Sequence, residues 1–214
     1  NLGGKRVLIT VGATVEAIDP VRFISNHSSG KMGMALASAC IQAGAKTTIV
    51  VGSISTEEEK RATSIYATSA DEMHDAVMDN IDNQDLFISC AAVADYRPSK
   101  VSLNKIKKSN EKEIIELVLN RDILSDVCHL SKKPICIGFA AETENCIKNA
   151  KQKLEKKNCD AIILNDVSDP NIGLKSDENE VHFITKGDSK IIKKNSKAII
   201  AEKIIKIISK KFFY

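Results

Sequence analysis

Short β-branched runs alternate along this chain with longer stretches of helical periodicity, and that alternation leaves few folds open. RVLIT (6–10) reads as an apolar strand, followed by a loop and the helix GMALASACIQAG, which should stop at Gly44, a residue suited to the position past a helix end. KTTIVVGS and SIYAT follow as strands. SADEMHDAVMDNI starts with a Ser N-cap candidate and acids in its first turn, as a helix should. DLFISCAAVA, EIIELVLN, PICIGFAAE and CDAIILND read as strands, with RDILSDVCHL and NCIKNAKQKLEKKN as helices between them. EVHFITKGDSKIIK resembles a β-hairpin turning at Lys186-Gly187-Asp188, and SKAIIAEKIIKIISKK closes the chain as a helix. Strands apolar on both faces, separated by helices, predict an α/β fold: a Rossmann-like, open, mostly parallel sheet flanked by helices, with a C-terminal β-hairpin extension. The stretch 93–112 stands out as a long polar loop between two predicted strands, a feature that in compact domains is usually functional or disordered.

Size and composition narrow the function classes. A chain of 214 residues can bury a core without disulfide or metal staples and is treated as a single domain, 1–214. Net charge is +3 with lysines scattered throughout, aromatics are 4% and Trp is absent, so a dedicated nucleic-acid surface is not expected. The six cysteines (40, 90, 128, 136, 146, 159) form no C-x-x-C pair and mostly sit among apolar residues, as buried thiols in a reducing, cytoplasmic compartment would. No apolar run approaches about 18 residues, so no membrane span is expected. Asn1-Leu2-Gly3-Gly4 reads as a linker end, and without an initiator Met the chain reads as part of a longer protein. In the closing helix Ile200, Ile204 and Ile208 share one face, which fits packing on the sheet better than lying on a membrane.

Open parallel sheets bind ligands beyond the carboxyl ends of their strands. At that edge the chain places Gly12, Thr14 and the loop ISNHSSGKMG after the first strand, then Ala91, Ala92 and Asp95, then Gly138-Phe139, then Asn165-Asp166. One cleft for a phosphorylated ligand is expected. ISNHSSGKMG (24–33) fits neither a Walker A loop nor a dinucleotide fingerprint. Ser28 or Ser29 is expected to cap the following helix, whose N–H groups and dipole would attract a phosphate, with Gly30 and Gly33 allowing close approach. NKIKK sets Lys105, Lys107 and Lys108 in the long loop, either as a solvated cluster or as cations for a polyphosphate. Asp95 is a candidate Mg²⁺ ligand, the alternative being that it pairs with Arg97 or caps a turn. His27 lacks a nucleophile or orienting acid at recognisable spacing and reads as structural or substrate-adjacent.

GKRVLITVGATVEAIDPVRFISNHSSGKMG, AAVADYRP, KIKK, GFAAET and LNDVS, in that order, resemble the phosphopantothenoylcysteine synthetases, that is, phosphopantothenate–cysteine ligases. The match runs from about residue 4 to 185, and one block alone would be weak. The resemblance implies ligation in two steps: 4′-phosphopantothenate attacks the α-phosphate of CTP to give an acyl-cytidylate and pyrophosphate, then L-cysteine displaces CMP. It also implies Mg²⁺, a homodimer, and fusion to a phosphopantothenoylcysteine decarboxylase domain. CTP is expected over ATP because the sequence is bacterial in type. By the same resemblance Asn26 handles the acyl-cytidylate and Lys105 serves its formation. Arg22, Ser28, Ser29 and Gly30 belong to the substrate site. Gly12, Ala91, Ala92, Asp95, Phe139, Lys153 and Lys157 are expected at the nucleotide, Ala91 and Ala92 through their backbone; Asn165 and Asp166 match a block of unassigned role. The departures, Val11 and Val15, remove no reactive group. The rival readings are a nicotinamide-dependent reductase, which lacks its Gly-rich turn here and has only Tyr96 and Lys100 at the required spacing, and a non-catalytic regulatory relative.

Overall fold

The computed structural model of the protein describes residues 1–108, 112–142, 144–166 and 176–214, without the side chain of Asp166. Strand β1 (Arg6–Val11) leads through a small hairpin, β2 (Val15–Ala17) and β3 (Phe23–Ser25), into helix α1 (Lys31–Gln42). Then come β4 (Lys46–Val51), β5 (Thr63–Tyr66), α2 (Ala70–Asn80) and β6 (Leu86–Ser89). A second ribbon, β7 (Tyr96–Pro98) with β8 (Leu117–Leu119), precedes α3 (Ile123–Cys128), β9 (Ile135–Glu142), α4 (Cys146–Lys156) and β10 (Ala161–Asp166). The chain ends with β11 (Glu178–Ile184), β12 (Ser189–Ser196) and α5 (Lys197–Phe212).

Eight strands form one sheet in the order β12-β11-β10-β9-β6-β1-β4-β5. The six from β10 to β5 are parallel, and β11 and β12 are antiparallel to their neighbours. This is the expected Rossmann-like sheet with its hairpin extension. From β1 the chain goes first to β4 and β5 on one side, then to β6 on the other. The order therefore reverses between β1 and β6, and a crevice opens at their carboxyl ends.

Alternation along the strands builds the core on both faces. Val7, Ile9 and Val11 pack with Leu36, Ala37 and Cys40 of α1 and Ile200, Ile204 and Ile208 of α5. Leu8 and Phe87 face the opposite layer, with Met73 and Val77 of α2, Leu124 and Val127 of α3, and Ala150 and Leu154 of α4. The closing helix thus packs on the sheet, as its isoleucine face implies. Ser69 caps α2 in a full capping box with Glu72, and Gly44 takes a left-handed φ of 93° just past α1.

Three expectations are corrected. EIIELVLN contributes only β8, which pairs with β7 outside the main sheet, so residues 93–120 are an arm and not a connection between two sheet strands. The exposed side chains of β8 show why: neither face of Leu117–Leu119 is covered, so its apolar run is not a core strand. Leu2, expected in a linker end, is fully buried, and the Asn1 ammonium donates to Ser209 Oγ at 2.7 Å. The β2–β3 hairpin is an addition, since its three-residue strands are too short to show a period in the sequence.

Candidate active site

The crevice is held open by hydrogen bonds between the segments that leave β1 and β6. The N–H groups of Cys90 and Ala91 both donate to Thr10 Oγ1 at 3.2 Å, and Ala92 N–H donates to Gly12 carbonyl at 2.8 Å. Thr14 N–H reaches Ala92 carbonyl, and Ala94 N–H reaches Thr14 Oγ1 at 2.9 Å. Asn26 closes this lattice from the far side, its Nδ2 donating to the carbonyls of Ala92 (3.3 Å) and Val93 (3.1 Å). Buried Thr10 and Thr14 are therefore backbone staples, and the N–H groups of Ala91 and Ala92 are spent inside the protein. Donors to a nucleotide base must come from elsewhere.

Two adjoining lobes, each about 510 Å³, share Ala91, Val93, Asp95, Phe139 and Lys153. One lobe lies over α1 and reaches β10 and β11; Gly12, Asn26, Ser28, Ser29, Gly30, Ala92 and Asn165 line it. The other lies toward α3 and α4 and is lined by Arg121, Asp122, Lys153, Lys156 and Lys157 among others. The carboxyl ends of β1, β6, β9 and β10 thus meet at one cleft, as the placement of small and polar residues implied.

Helix α1 enters this cleft differently from expectation. Its N-cap is Gly30, in the left-handed conformation at φ 78°, with no side-chain cap hydrogen bond; neither Ser28 nor Ser29 caps it. The reason is steric as well as conformational: a Cβ on Gly30 would sit 2.6 Å from Ile54 Cγ2. Gly33 faces the sheet, where a Cβ would meet the Val11 methyls at 2.7 and 2.9 Å. Gly33 therefore serves close helix–strand packing and not approach of an anion. The uncapped first turn leaves backbone N–H groups for a ligand. Lys31 is occupied at the rim, 2.6 Å from Asp177, and His27 lines the same lobe.

In the second lobe charge is concentrated. Lys153 Nζ donates to Phe139 carbonyl at 3.1 Å, and burial, then the neighbouring Lys157, hold its ammonium below the usual lysine range. Lys157 pairs with Asp122 at 2.8 Å. Burial works to raise the Asp122 pKa, but the bonds from Lys157 and Ser125 N–H lower it on balance. Asp122 is also the N-cap of α3, so one carboxylate orders a helix start and faces a lysine. Arg121, held by Asp71 and Asp75, stands beside it. Asp95 lines both lobes, and among the described residues no salt bridge engages its carboxylate; Arg97 pairs with Asp71 at 3.6 Å instead.

Lys105 is the expected site residue that lies apart from the rest. It is exposed and lines neither lobe. Its segment is moored to the β2–β3 turn through Asp19, which is buried and accepts from the N–H groups of Val21, Arg22 and Ile106 and from Arg22 Nε and Nη2. Arg22 Nη2 also donates to Ile106 carbonyl at 2.8 Å. The Arg22 guanidinium, against the opposing effect of burial and aided by those N–H groups, holds the Asp19 carboxyl well below the usual carboxylate range. Arg22 thus spends its fork on Asp19 and the Lys105 segment. Lys107 and Lys108 are exposed on the same segment. Val167 and Ser168 of the LNDVS block lie outside the described residues, as does the side chain of Asp166.

Several lining residues escaped the sequence: Arg121 and Asp122 in the first lysine-rich lobe, and Asn179 and Lys197 in the other. RDIL carried the one usable signal, an Asp just before a short apolar helix. Lys197 looked like any surface lysine of an amphipathic helix, yet it is buried.

The profile of the DNA/pantothenate metabolism flavoprotein C-terminal domain matches residues 2–212. The chain is 45% identical over 210 residues to the coenzyme A biosynthesis bifunctional protein CoaBC of Vibrio vulnificus (strain CMCP6), covering 97% of this chain and 52% of that protein. Against the protein of the same name from Haemophilus influenzae it is 44% identical over 213 residues, covering 99% and 53%. The chain thus spans about half the length of the curated relatives it matches. The crystal structure of the C-terminal domain of a coenzyme A biosynthesis bifunctional protein CoaBC superposes with a TM-score of 0.82 at 37% identity, covering 97% of this chain and 95% of that one.

Proposed function

The chain belongs to the DNA/pantothenate metabolism flavoprotein C-terminal domain family, and on that premise we propose that it joins 4′-phosphopantothenate to L-cysteine through an acyl-cytidylate, consuming CTP and releasing pyrophosphate and CMP. The observation that carries this reading is convergence: Asn26, Ala92, Asp95, Phe139, Lys153 and Asn165, drawn from separate sequence blocks, line one cleft at the switch point of the sheet.

A carboxylate is a poor acylating agent at neutral pH, so its oxygen must first be made part of a good leaving group. Attack on the α-phosphate of CTP does this, and the chemistry then asks the protein for positioning and charge stabilisation. Lys153 and Lys157 supply positive charge in the lobe that takes the nucleotide, with Phe139 beside it. Asn26, pinned across the crevice, stands where the two lobes meet and holds the acyl-cytidylate for attack by the cysteine amino group. Arg22 positions the Lys105 segment, and Lys105 serves the first step when that segment lies over the cleft. Ser28, Ser29 and Gly30 present the uncapped end of α1 to a phosphate.

Among the described residues no group of three or more His, Cys, Asp and Glu is arranged to hold a metal ion. A single carboxylate at the junction of the lobes suits an ion that keeps water and phosphate ligands, as Mg²⁺ does. Held by Asp95 and the nucleotide's own phosphates, Mg²⁺ would neutralise charge on the polyphosphate. Six free cysteines fit a reducing, cytoplasmic setting, and among the described residues no helix is long and apolar enough to cross a membrane.

The protein works as a homodimer. Support comes from the β2–β3 hairpin and the arm, which expose Phe23 (59%), Leu103 (92%), Ile114 (87%) and Leu119 (68%) on neighbouring elements, an apolar surface unusual for a lone chain. Sedimentation should give twice the chain mass, and Leu103→Glu with Phe23→Glu should return it to one; a monomer in the unmodified protein refutes this.

The deciding assay mixes protein, Mg²⁺, 4′-phosphopantothenate, CTP and cysteine and follows pyrophosphate and CMP. Cysteine-dependent CMP release is expected. Pyrophosphate or CMP that never depends on 4′-phosphopantothenate, or no product with either CTP or ATP, rejects the ligase.

A further inference from the structure

Two helices begin at the lobe that reaches β10 and β11, and each begins with a lysine: Lys31 in α1 and Lys197 in α5. Neither has an acidic residue in its first turn, whereas α2 has Asp71 and Glu72 there. A cation is the disfavoured charge at the positive end of a helix dipole. The main counter-charge is Asp177, which meets Lys31 at 2.6 Å but whose side chain is 85% exposed. Lys197 is only 6% exposed, its N–H held by Asp177 carbonyl at 2.9 Å. Burial, and after it Lys31, keep the Lys197 ammonium below the usual lysine range. A buried cation beside a second cation and two helix starts is costly unless something anionic joins them.

An independent observation points the same way. Asn165, at the end of β10, is 7% exposed and lines this lobe, yet its buried Oδ1 has no hydrogen-bond partner among the described residues. Buried polar atoms are nearly always paired, and one left open in a cleft marks a ligand contact.

We propose that Lys197 and Asn165 bind ligand: Lys197, with Lys31 and the N-termini of α1 and α5, takes a phosphate group, and Asn165 Oδ1 accepts from an N–H or O–H of the same ligand. The ligase reading enters only in the choice of ligands, since the phosphate can belong to 4′-phosphopantothenate or to the polyphosphate of CTP.

The test is calorimetric titration of the unmodified chain, Lys197→Met, Lys197→Arg and Asn165→Ala with two pairs of probes, 4′-phosphopantothenate against pantothenate and CTP against CMP, and with inorganic pyrophosphate. Lys197→Met should weaken the more phosphorylated member of one pair by about tenfold or more, as loss of a charge-assisted contact does. Its less phosphorylated counterpart should change little, and Lys197→Arg should recover most of the loss. The affected pair identifies the source of the phosphate. Asn165→Ala should weaken both members of that same pair, because it meets a group they share; no effect removes Asn165 from the site. Equal weakening of both members by Lys197→Met, or no weakening, overturns the anion site. Should Lys197→Met melt early, Lys31→Met must show the same selectivity, and its absence there overturns the site equally. Pyrophosphate binding that Lys197→Met weakens, in a protein that releases no cysteine-dependent CMP, keeps the site and sinks the ligase. CMP release with binding indifferent to Lys197 does the reverse.

Discussion

Asn26→Asp is expected to slow amide formation by about 100-fold or more, the scale on which loss of one placed donor acts, while pyrophosphate release stays within a few-fold of normal. The side chains are nearly isosteric, so the crevice keeps its shape. What changes is the donor. Asn26 Nδ2 gives hydrogen bonds to the carbonyls of Ala92 and Val93, and an ionised aspartate would turn an acceptor toward two acceptors. The side chain must then swing away or the two crossover segments must part, and either movement takes it from the activated intermediate. Rapid quench with radiolabelled CTP reads both halves: pyrophosphate should appear and acyl-cytidylate accumulate, with CMP held back. Equal loss in both half-reactions would make Asn26 a brace for the crevice and no more.

Lys105→Gln is expected to act on the other half, cutting pyrophosphate release by about 1,000-fold, the upper range for removing a charge that stabilises a reacting phosphoryl group. An exposed lysine is ordinarily a poor candidate for such an effect. Its mooring sets it apart: Ile106 N–H donates to Asp19 Oδ2 at 3.1 Å and Ile106 carbonyl accepts from Arg22, so the neighbouring backbone is held on both sides by one ion pair. Asp19→Asn removes the charge that keeps Arg22 in place but leaves Lys105 itself intact. Pyrophosphate release should then fall as well, by less than in Lys105→Gln, with acyl transfer from preformed acyl-cytidylate nearly unaffected. Unchanged pyrophosphate release in Asp19→Asn would show that the mooring does not position Lys105.

The sheet and its cleft were legible because they rest on local regularities. Period-two alternation put Val7, Ile9 and Val11 in one layer and Leu8 in the other, and small residues collected at the strand ends because backbone approaches backbone there. Ser69 announced the start of α2 through its spacing to Glu72. What stayed hidden depends on distant parts of the chain. Nothing near Gly30 reveals that Ile54 crowds its Cβ position, and nothing near Lys197 reveals that the sheet buries it. Asp19 reads as an ordinary turn aspartate until residue 106, 87 positions away, is seen to lean on it. Leu117–Leu119 misled for the opposite reason: an apolar run predicts burial, and here its surface is left uncovered within the chain.

The antiparallel pair at the end of the sheet has a consequence for what this architecture tolerates. Strand direction behaves like a sign, and β11 and β12 each reverse it, so the product is unchanged: β12 ends on the same edge as β10, and α5 starts at the cleft. One added strand would have delivered the end of the chain to the far edge and left Lys197 remote from Asn165. Because the turn at 185–188 lies on that far edge, with open space around Gly187, it can lengthen or shorten without moving the start of α5. Only a change in the parity of the strand count would unseat it.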